Sequence, residues 1–270
     1  MEILRSPREI AQMRKAGLLV WGAHQVVRSL VRPGVTTGEL DAAVEDYFAA
    51  NNAEPLFKNF PHSDRNGPPF PTVTCISINE QVVHGIPGKR KLLEGDIASV
   101  DTGCKLNGWC GDAAATYPVG RISDEKQRLL DVTRNVLALA IRLMAHRSRW
   151  REVAAEMDKY VKQNGFSGVE QFVGHGIGRE MHEDPQVPNF AGKQLRGRSN
   201  FRLVPGLVIA VEPMVNIGIK RVRVLDDRWT QVTTDGQPSA HFEHTIAVTQ
   251  SGPLVLTAGP ADGEPDPWAE

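Results

Sequence analysis

Four acidic residues are attached to apolar runs instead of polar helical faces. Asp101 closes the run Ile97-Ala98-Ser99-Val100 and Asp112 opens Ala113-Ala114-Ala115-Thr116. Glu212 ends Leu207-Val208-Ile209-Ala210-Val211, and Glu243 follows Phe242 just ahead of Thr245-Ile246-Ala247-Val248. A carboxylate drawn indoors by such neighbours is costly unless a cation or hydrogen bonds compensate. One of these acids alone reads as a solvated strand end, the usual place for an acid. Four in the same setting require a shared counter-charge. Carboxylate oxygens suit hard or borderline divalent metals such as Mn, Fe(II) or Co better than a thiolate-seeking ion.

His175 supplies a nitrogen donor of the kind such a site would use. It lies in Gly174-His175-Gly176-Ile177-Gly178, where the flanking glycines permit close backbone approach. His182 follows seven positions later, ahead of Glu183-Asp184-Pro185. This is not the His-Glu-x-x-His spacing of helical zinc proteases, so that chemistry is disfavoured. His84, between Val82-Val83 and Gly85-Ile86-Pro87, stands where a histidine reaches into a cleft without being a ligand.

The elements that must position these groups are legible in outline. Ser6-Pro7-Arg8-Glu9 and Thr36-Thr37-Gly38-Glu39 have capping-box spacing, which predicts helices from there to about Leu30 and Ala50. Proline and glycine mark a long irregular loop over 57–71, followed by a strand near 73–78. Strands are expected over 96–101 and 112–119, folded back through Lys105-Leu106-Asn107-Gly108 so that Asp101 and Asp112 meet. Helices over about 123–146 and 150–163 come next. Strand-like runs then follow at 172–182, 207–215, 222–224, 229–233 and 242–249. Two helices followed by strands, twice over, suggests a duplicated plan. The Gly-, Pro- and acid-rich stretch 258–270 reads as a disordered tail, leaving 1–257 as one domain.

Bulk properties exclude more than they identify. Lys plus Arg number 31 against 32 Asp plus Glu, so no global field draws the chain to nucleic acid or a membrane. Three cysteines without a Cys-x-x-Cys pair argue against a disulfide framework and for a reducing cytoplasm. No stretch approaches the ~18–20 apolar residues that span a bilayer.

Five segments, in order, resemble the methionine aminopeptidases of bacterial type (type I) within the wider pita-bread metallopeptidases. They are Asn79–Pro87 (NEQVVHGIP), Val100–Asp112 (VDTGCKLNGWCGD), Gly174–Pro185 (GHGIGREMHEDP), Glu212–Asn216 (EPMVN) and Ser239–Thr245 (SAHFEHT). The likeness extends from about Ser6 to Thr257. It implies an α+β pita-bread fold: a pseudo-twofold antiparallel β-sheet with helices packed on its outer face. It further implies two divalent metal ions held by Asp101, Asp112, His175, Glu212 and Glu243, with Asp112 and Glu243 bridging. Glu212 doubles as general base, His84 and His182 act as non-ligand hydrogen-bond donors, and Cys75, Phe70, Met181 and Trp229 line a methionine pocket. Asn79 and Ser239 resemble positions beside a monovalent cation. The implied activity is removal of the initiator methionine from nascent chains with a small second residue, by a monomer in transient contact with the ribosome.

Three departures from the family pattern bear on the pocket rather than the metals: Met181 in place of an aromatic, a longer Phe60–Pro71 loop, and Asp184 after Glu183. The 30-residue step from His182 to Glu212 leaves no room for the inserted subdomain of the eukaryotic-type second class. The competing readings are an X-Pro or other aminopeptidase on the same fold, and a non-catalytic ribosome- or nucleic-acid-binding relative.

Overall fold

The computed structural model describes residues 3–192, 195 and 197–260. Helix α1 (Pro7–Leu30) begins where the Ser6 hydroxyl accepts the Glu9 N–H and the Glu9 carboxylate accepts the Ser6 N–H at 2.8 Å. The Thr36–Glu39 pair opens α2 (Thr37–Ala50) in the same way. The strands β1 (Glu54–Pro55), β2 (Thr74–Ile78), β3 (Gln81–Val83), β4 (Ile97–Leu106) and β5 (Trp109–Pro118) follow. Helices α3 (Asp124–Met144) and α4 (Trp150–Gln163) separate them from β6 (Ser167–Gly168), β7 (Gly174–Gly176), β8 (Glu183–Val187), β9 (Val208–Val211) and β10 (Met214–Asn216). Last come β11 (Val222–Val224), β12 (Gln231–Thr233), β13 (Ser239–His241), β14 (His244–Thr249) and β15 (Gly252–Val255).

The strand pairings are antiparallel. In the first half β4 pairs with β1, β2 and β5; in the second the order is β15-β14-β9-β7-β8, beside β13-β10-β6 and β11-β12-β3. Val20, Ala23 and Val27 of α1 and Leu40, Val44 and Phe48 of α2 bury against Ile76, Ile78, Ala98 and Val100. Leu130, Val136, Trp150 and Met157 of α3 and α4 bury against Ile209, Val211 and Ile246. Each fully buried aliphatic stabilises by about 1.5–3 kcal/mol, so the helix-covered face holds the sheet together and frees the opposite face for chemistry. This is the expected pita-bread plan of two helix-backed halves.

The halves join where β5 meets β13 and β14. The Thr116 hydroxyl donates to the His241 carbonyl at 2.8 Å and accepts its N–H at 2.9 Å. The Glu243 N–H donates to the Ala114 carbonyl at 2.8 Å.

Several sequence boundaries need correction. β4 and β5 each run ten residues, turning at Asn107-Gly108 with φ of 51° and 75°, so Asp101 and Asp112 lie inside strands and not at their ends. The run 207–215 breaks at Glu212-Pro213, because Pro213 has no N–H for a ladder, and its two parts enter different sheets. Only Gly174–Gly176 of 172–182 is strand. Of the segment 258–270, Ala258 is tied by its carbonyl to Arg14 at 2.6 Å, and residues 261–270 lie outside those described. No described helix is long and apolar enough to cross a membrane.

Candidate active site

Strand alternation aims both aspartates the same way. In the β4–β5 register Asp101 faces Ala114 and Gly103 faces Asp112, which puts both carboxylates on the face opposite the helices. Each stands across from a small residue. A Cβ on Gly103 would lie 2.9 Å from Asp112 Oδ1, so glycine there leaves the carboxylate its space. The Asp112 backbone is fixed from the other half: the Thr245 hydroxyl accepts its N–H at 3.1 Å and donates to its carbonyl at 2.8 Å.

His175 projects from β7, which is wedged between β9 and β8. A Cβ on Gly174 would meet the Ala210 carbonyl oxygen at 2.2 Å and one on Gly176 the Asp184 carbonyl oxygen at 2.1 Å, so only glycines allow the packing that delivers this histidine. Its Nδ1–H donates to the Gly176 carbonyl at 2.9 Å, which leaves the Nε2 lone pair facing inward, 3.6 Å from Glu212 Oε1. Glu212 arrives from the break between β9 and β10, and Glu243 from the break between β13 and β14. Asp112, His175 and Glu243 each offer one ligand atom, all within 4.8 Å of one another.

Three of these acids each keep one oxygen without an internal partner. Asp101 Oδ1, Asp112 Oδ1 and Glu243 Oε1 are buried with no hydrogen bond from the protein. Burial, then the charges of Asp112 and Glu212, pushes the Asp101 carboxyl well above the ordinary range. Glu212 rises through burial and then Asp112, and Glu243 through burial and then its three acidic neighbours. Burial lifts Asp112 to about 7 against the Ala113 backbone bond. Burial, and next His182, holds His175 down at about 4, so its imidazole is neutral and able to ligate. Orphaned oxygen donors, neutral nitrogen and mutual repulsion together fit divalent cations.

The cluster opens onto a cavity of about 700 Å³. On one side Phe70, Cys75 and Met181 form a buried apolar group with Phe57, with Trp229 packed against it. His182 stands edge-on to His175 at 4.5 Å between ring centres. His84, at a left-handed φ of 59°, packs edge-on against Phe172 at 5.4 Å and Trp229 at 6.2 Å. Burial, then His182, lowers His84 to about 4. Phe57, Phe60 and His241 also line the cavity and escaped the sequence reading. His241 lay within the quoted Ser239–Thr245 segment, so its signal was available. Asn79 and Ser239 lie apart from this cavity's lining: the Ser239 N–H donates to the Asn79 carbonyl at 2.8 Å, and Lys126 Nζ donates to Asn79 Oδ1 at 2.9 Å and to the Gly95 carbonyl at 2.7 Å.

Helix-backed antiparallel halves around a buried carboxylate and imidazole cluster define a metal-dependent hydrolase, and residues 11–250 match the model of metallopeptidase family M24, to which this chain belongs. The chain is 46% identical to the methionine aminopeptidase of Clostridium perfringens, over 95% of its own length and 99% of that protein. It is 45% identical to methionine aminopeptidase 1 of Bacillus subtilis over the same shares. The crystal structure of methionine aminopeptidase from Thermotoga maritima superposes with a TM-score of 0.88 at 40% identity, covering 96% of this chain and all of that one. Within the family, its place is thus among the methionine aminopeptidases.

Proposed function

We propose that this chain removes the N-terminal methionine from polypeptides by metal-assisted hydrolysis, favouring a small second residue. The observation that carries the reading is the shared cavity: four acids and His175 on one wall, and the apolar, sulfur-bearing group Phe70, Cys75, Met181 and Trp229 on the other. Polarizable sulfur and aromatic edges suit a thioether side chain. Full-length likeness to methionine aminopeptidases, rather than to X-Pro enzymes, supports the same substrate.

Two divalent ions, of the Co, Mn or Fe(II) kind, would be held by Asp101, Asp112, His175, Glu212 and Glu243. When bound they make water nucleophilic at neutral pH and neutralise the clustered carboxylates. Glu212 then takes the proton of the attacking water at its carboxylate and passes it to the departing amine. His84 and His182, both neutral, donate N–H groups to the scissile carbonyl as charge develops on its oxygen. The free amine of the substrate would also be held at this centre, which suits aminopeptidase rather than endopeptidase action. A monovalent cation would be held near Asn79 and Ser239, the positions that the resemblance implies. An enzyme acting on nascent chains would work in the cytoplasm and meet the ribosome transiently, and we propose that it does so as a monomer.

The test is hydrolysis of Met-Ala-Ser, Met-Pro-Ser and Ala-Pro-Ser by metal-loaded protein, with elemental analysis of variants. Met-Ala-Ser should be cleaved fastest. His175→Ala should lose metal and turnover together, whereas His84→Ala should keep metal and lose about 10²–10³ in kcat. Preference for Ala-Pro-Ser, or full metal in His175→Ala, sinks the assignment.

A further inference from the structure

The loop between Phe60 and Phe70 is built as a closed unit. Its base is fastened by the Asn59 N–H to the Phe70 carbonyl at 2.7 Å and the Phe70 N–H to the Phe60 carbonyl at 2.9 Å. Inside it, the His62 Nδ1 accepts the Asp64 N–H at 3.0 Å, Asp64 Oδ1 accepts the Asn66 N–H at 3.0 Å, and the Asp64 carbonyl accepts the Gly67 N–H at 2.8 Å. A compact loop whose stem residues line the cleft is the architecture of an Ω-loop at a binding site.

Its tip is fastened across the cleft mouth to the turn between β11 and β12. Arg228 Nη2 pairs with Asp64 Oδ2 at 2.5 Å, and Arg228 Nη1 donates to the Asn66 carbonyl at 3.0 Å. His62 Nε2–H donates to the Arg228 carbonyl at 3.1 Å. The Trp229 indole N–H donates to the Pro68 carbonyl at 3.0 Å, and the His62 ring stands edge-on to Trp229 at 4.9 Å. Arg228 holds a left-handed φ of 70°, a conformation a non-glycine residue adopts only when its surroundings secure it. Trp229 in turn packs edge-on against Phe70 at 5.2 Å, within the apolar wall.

We propose that Arg228 and Asp64 are positioning residues: they clasp the loop tip over the cleft mouth, seat Trp229, and so set discrimination between methionine and bulkier first residues. This deepens the function proposed above and rests on it. Releasing the clasp deprives the Trp229 indole of its acceptor and of the His62 edge, so that wall of the pocket yields. The stem stays in place because Phe70 is buried in the apolar group, and the metal centre is untouched. Both partners are about half exposed, so the pair is weak and screened by salt.

Metal-loaded full-length protein, Arg228→Ala, Asp64→Ala and the double variant are compared on Met-Ala-Ser and Phe-Ala-Ser, at low and high salt. Each single variant should raise KM for Met-Ala-Ser about two- to fivefold with kcat little changed, and improve relative use of Phe-Ala-Ser by a similar factor. The double variant should add nothing further, and added salt should raise KM in the parent but not in the double variant. Wild-type KM and selectivity in the single variants, or additive effects, overturn the proposal. Backbone hydrogen exchange reads the clasp independently of catalysis: the Asn66 and Gly67 amides should exchange faster in Arg228→Ala, and unchanged exchange also overturns it. A parent protein that cleaves neither peptide while its variants show the faster exchange would overturn the proposed function and the selectivity role, and leave only a structural clasp.

Discussion

Thr245 carries no charge and touches no substrate, yet its hydroxyl is bonded to both backbone groups of Asp112 across the junction between halves. It is itself steadied by Thr257, whose hydroxyl accepts the Thr245 N–H at 3.2 Å and meets His244 Nδ1 at 2.9 Å. Replacing it by valine keeps the shape and strands a buried N–H and carbonyl, each worth about 1–3 kcal/mol when left unpaired. Thr245→Val should lower the thermal midpoint and weaken metal retention in a chelator competition, and Thr245→Ser should restore both. Equal loss in the serine variant would show that the methyl group, not the hydroxyl, is what matters. The individual ligands were legible because an acid beside Val-Ile-Ala-Val is anomalous in any fold. Thr245 was not, since a threonine in an apolar strand is ordinary and its partner lies 133 residues away.

At the level of elements, contact between α1 and β5 decides where the aspartates stand. A Cβ on Gly111 would lie 2.8 Å from the Gly17 nitrogen and 3.0 Å from the Ala16 carbonyl carbon, both backbone, so no rotamer change relieves it. Gly111→Ala should therefore push β5 off α1 at a cost of about 1–3 kcal/mol, read as a lower urea midpoint, and displace the adjacent Asp112 enough to reduce metal content. A variant with parental stability and metal would mean the helix shifts freely. The capped helices and the Asn107-Gly108 hairpin were legible because their signals are local. β13 and β15, three and four residues long, were not, because such strands exist only through partners remote in sequence. Pro213 was an available signal that splits 207–215 in two, and it is this break that lets Glu212 turn out of the ladder into the cavity.

Seen whole, the molecule is two helix-backed halves pressing acids against each other, Asp101 and Asp112 from one and Glu212 and Glu243 from the other. Without metal each carboxyl has a folded pKa above its unfolded one, so its contribution is present below the unfolded value and lost as pH rises through the folded one. His84, His175, His241 and His244 run the other way: burial lowers them, and their contribution is present above the unfolded value near 6.5 and lost as pH falls toward about 4, or about 3 for His241. Above about pH 7 the histidines are neutral folded or unfolded, the acids still titrate, and from about pH 8 the three buried cysteines, whose thiols burial holds up, add to the same loss with or without metal. Metal-free protein should therefore lose stability from about pH 7 to about pH 9, by roughly 5–10 °C in thermal midpoint. Bound divalent ions displace the protons and cancel the repulsion, so the metal-loaded form should lose less and the gap between the two should widen with pH. Thermal unfolding with and without chelator across that range measures the gap. A gap that stays constant or narrows would mean that the acids are already relieved by the protein itself and that the halves do not depend on metal to stay closed.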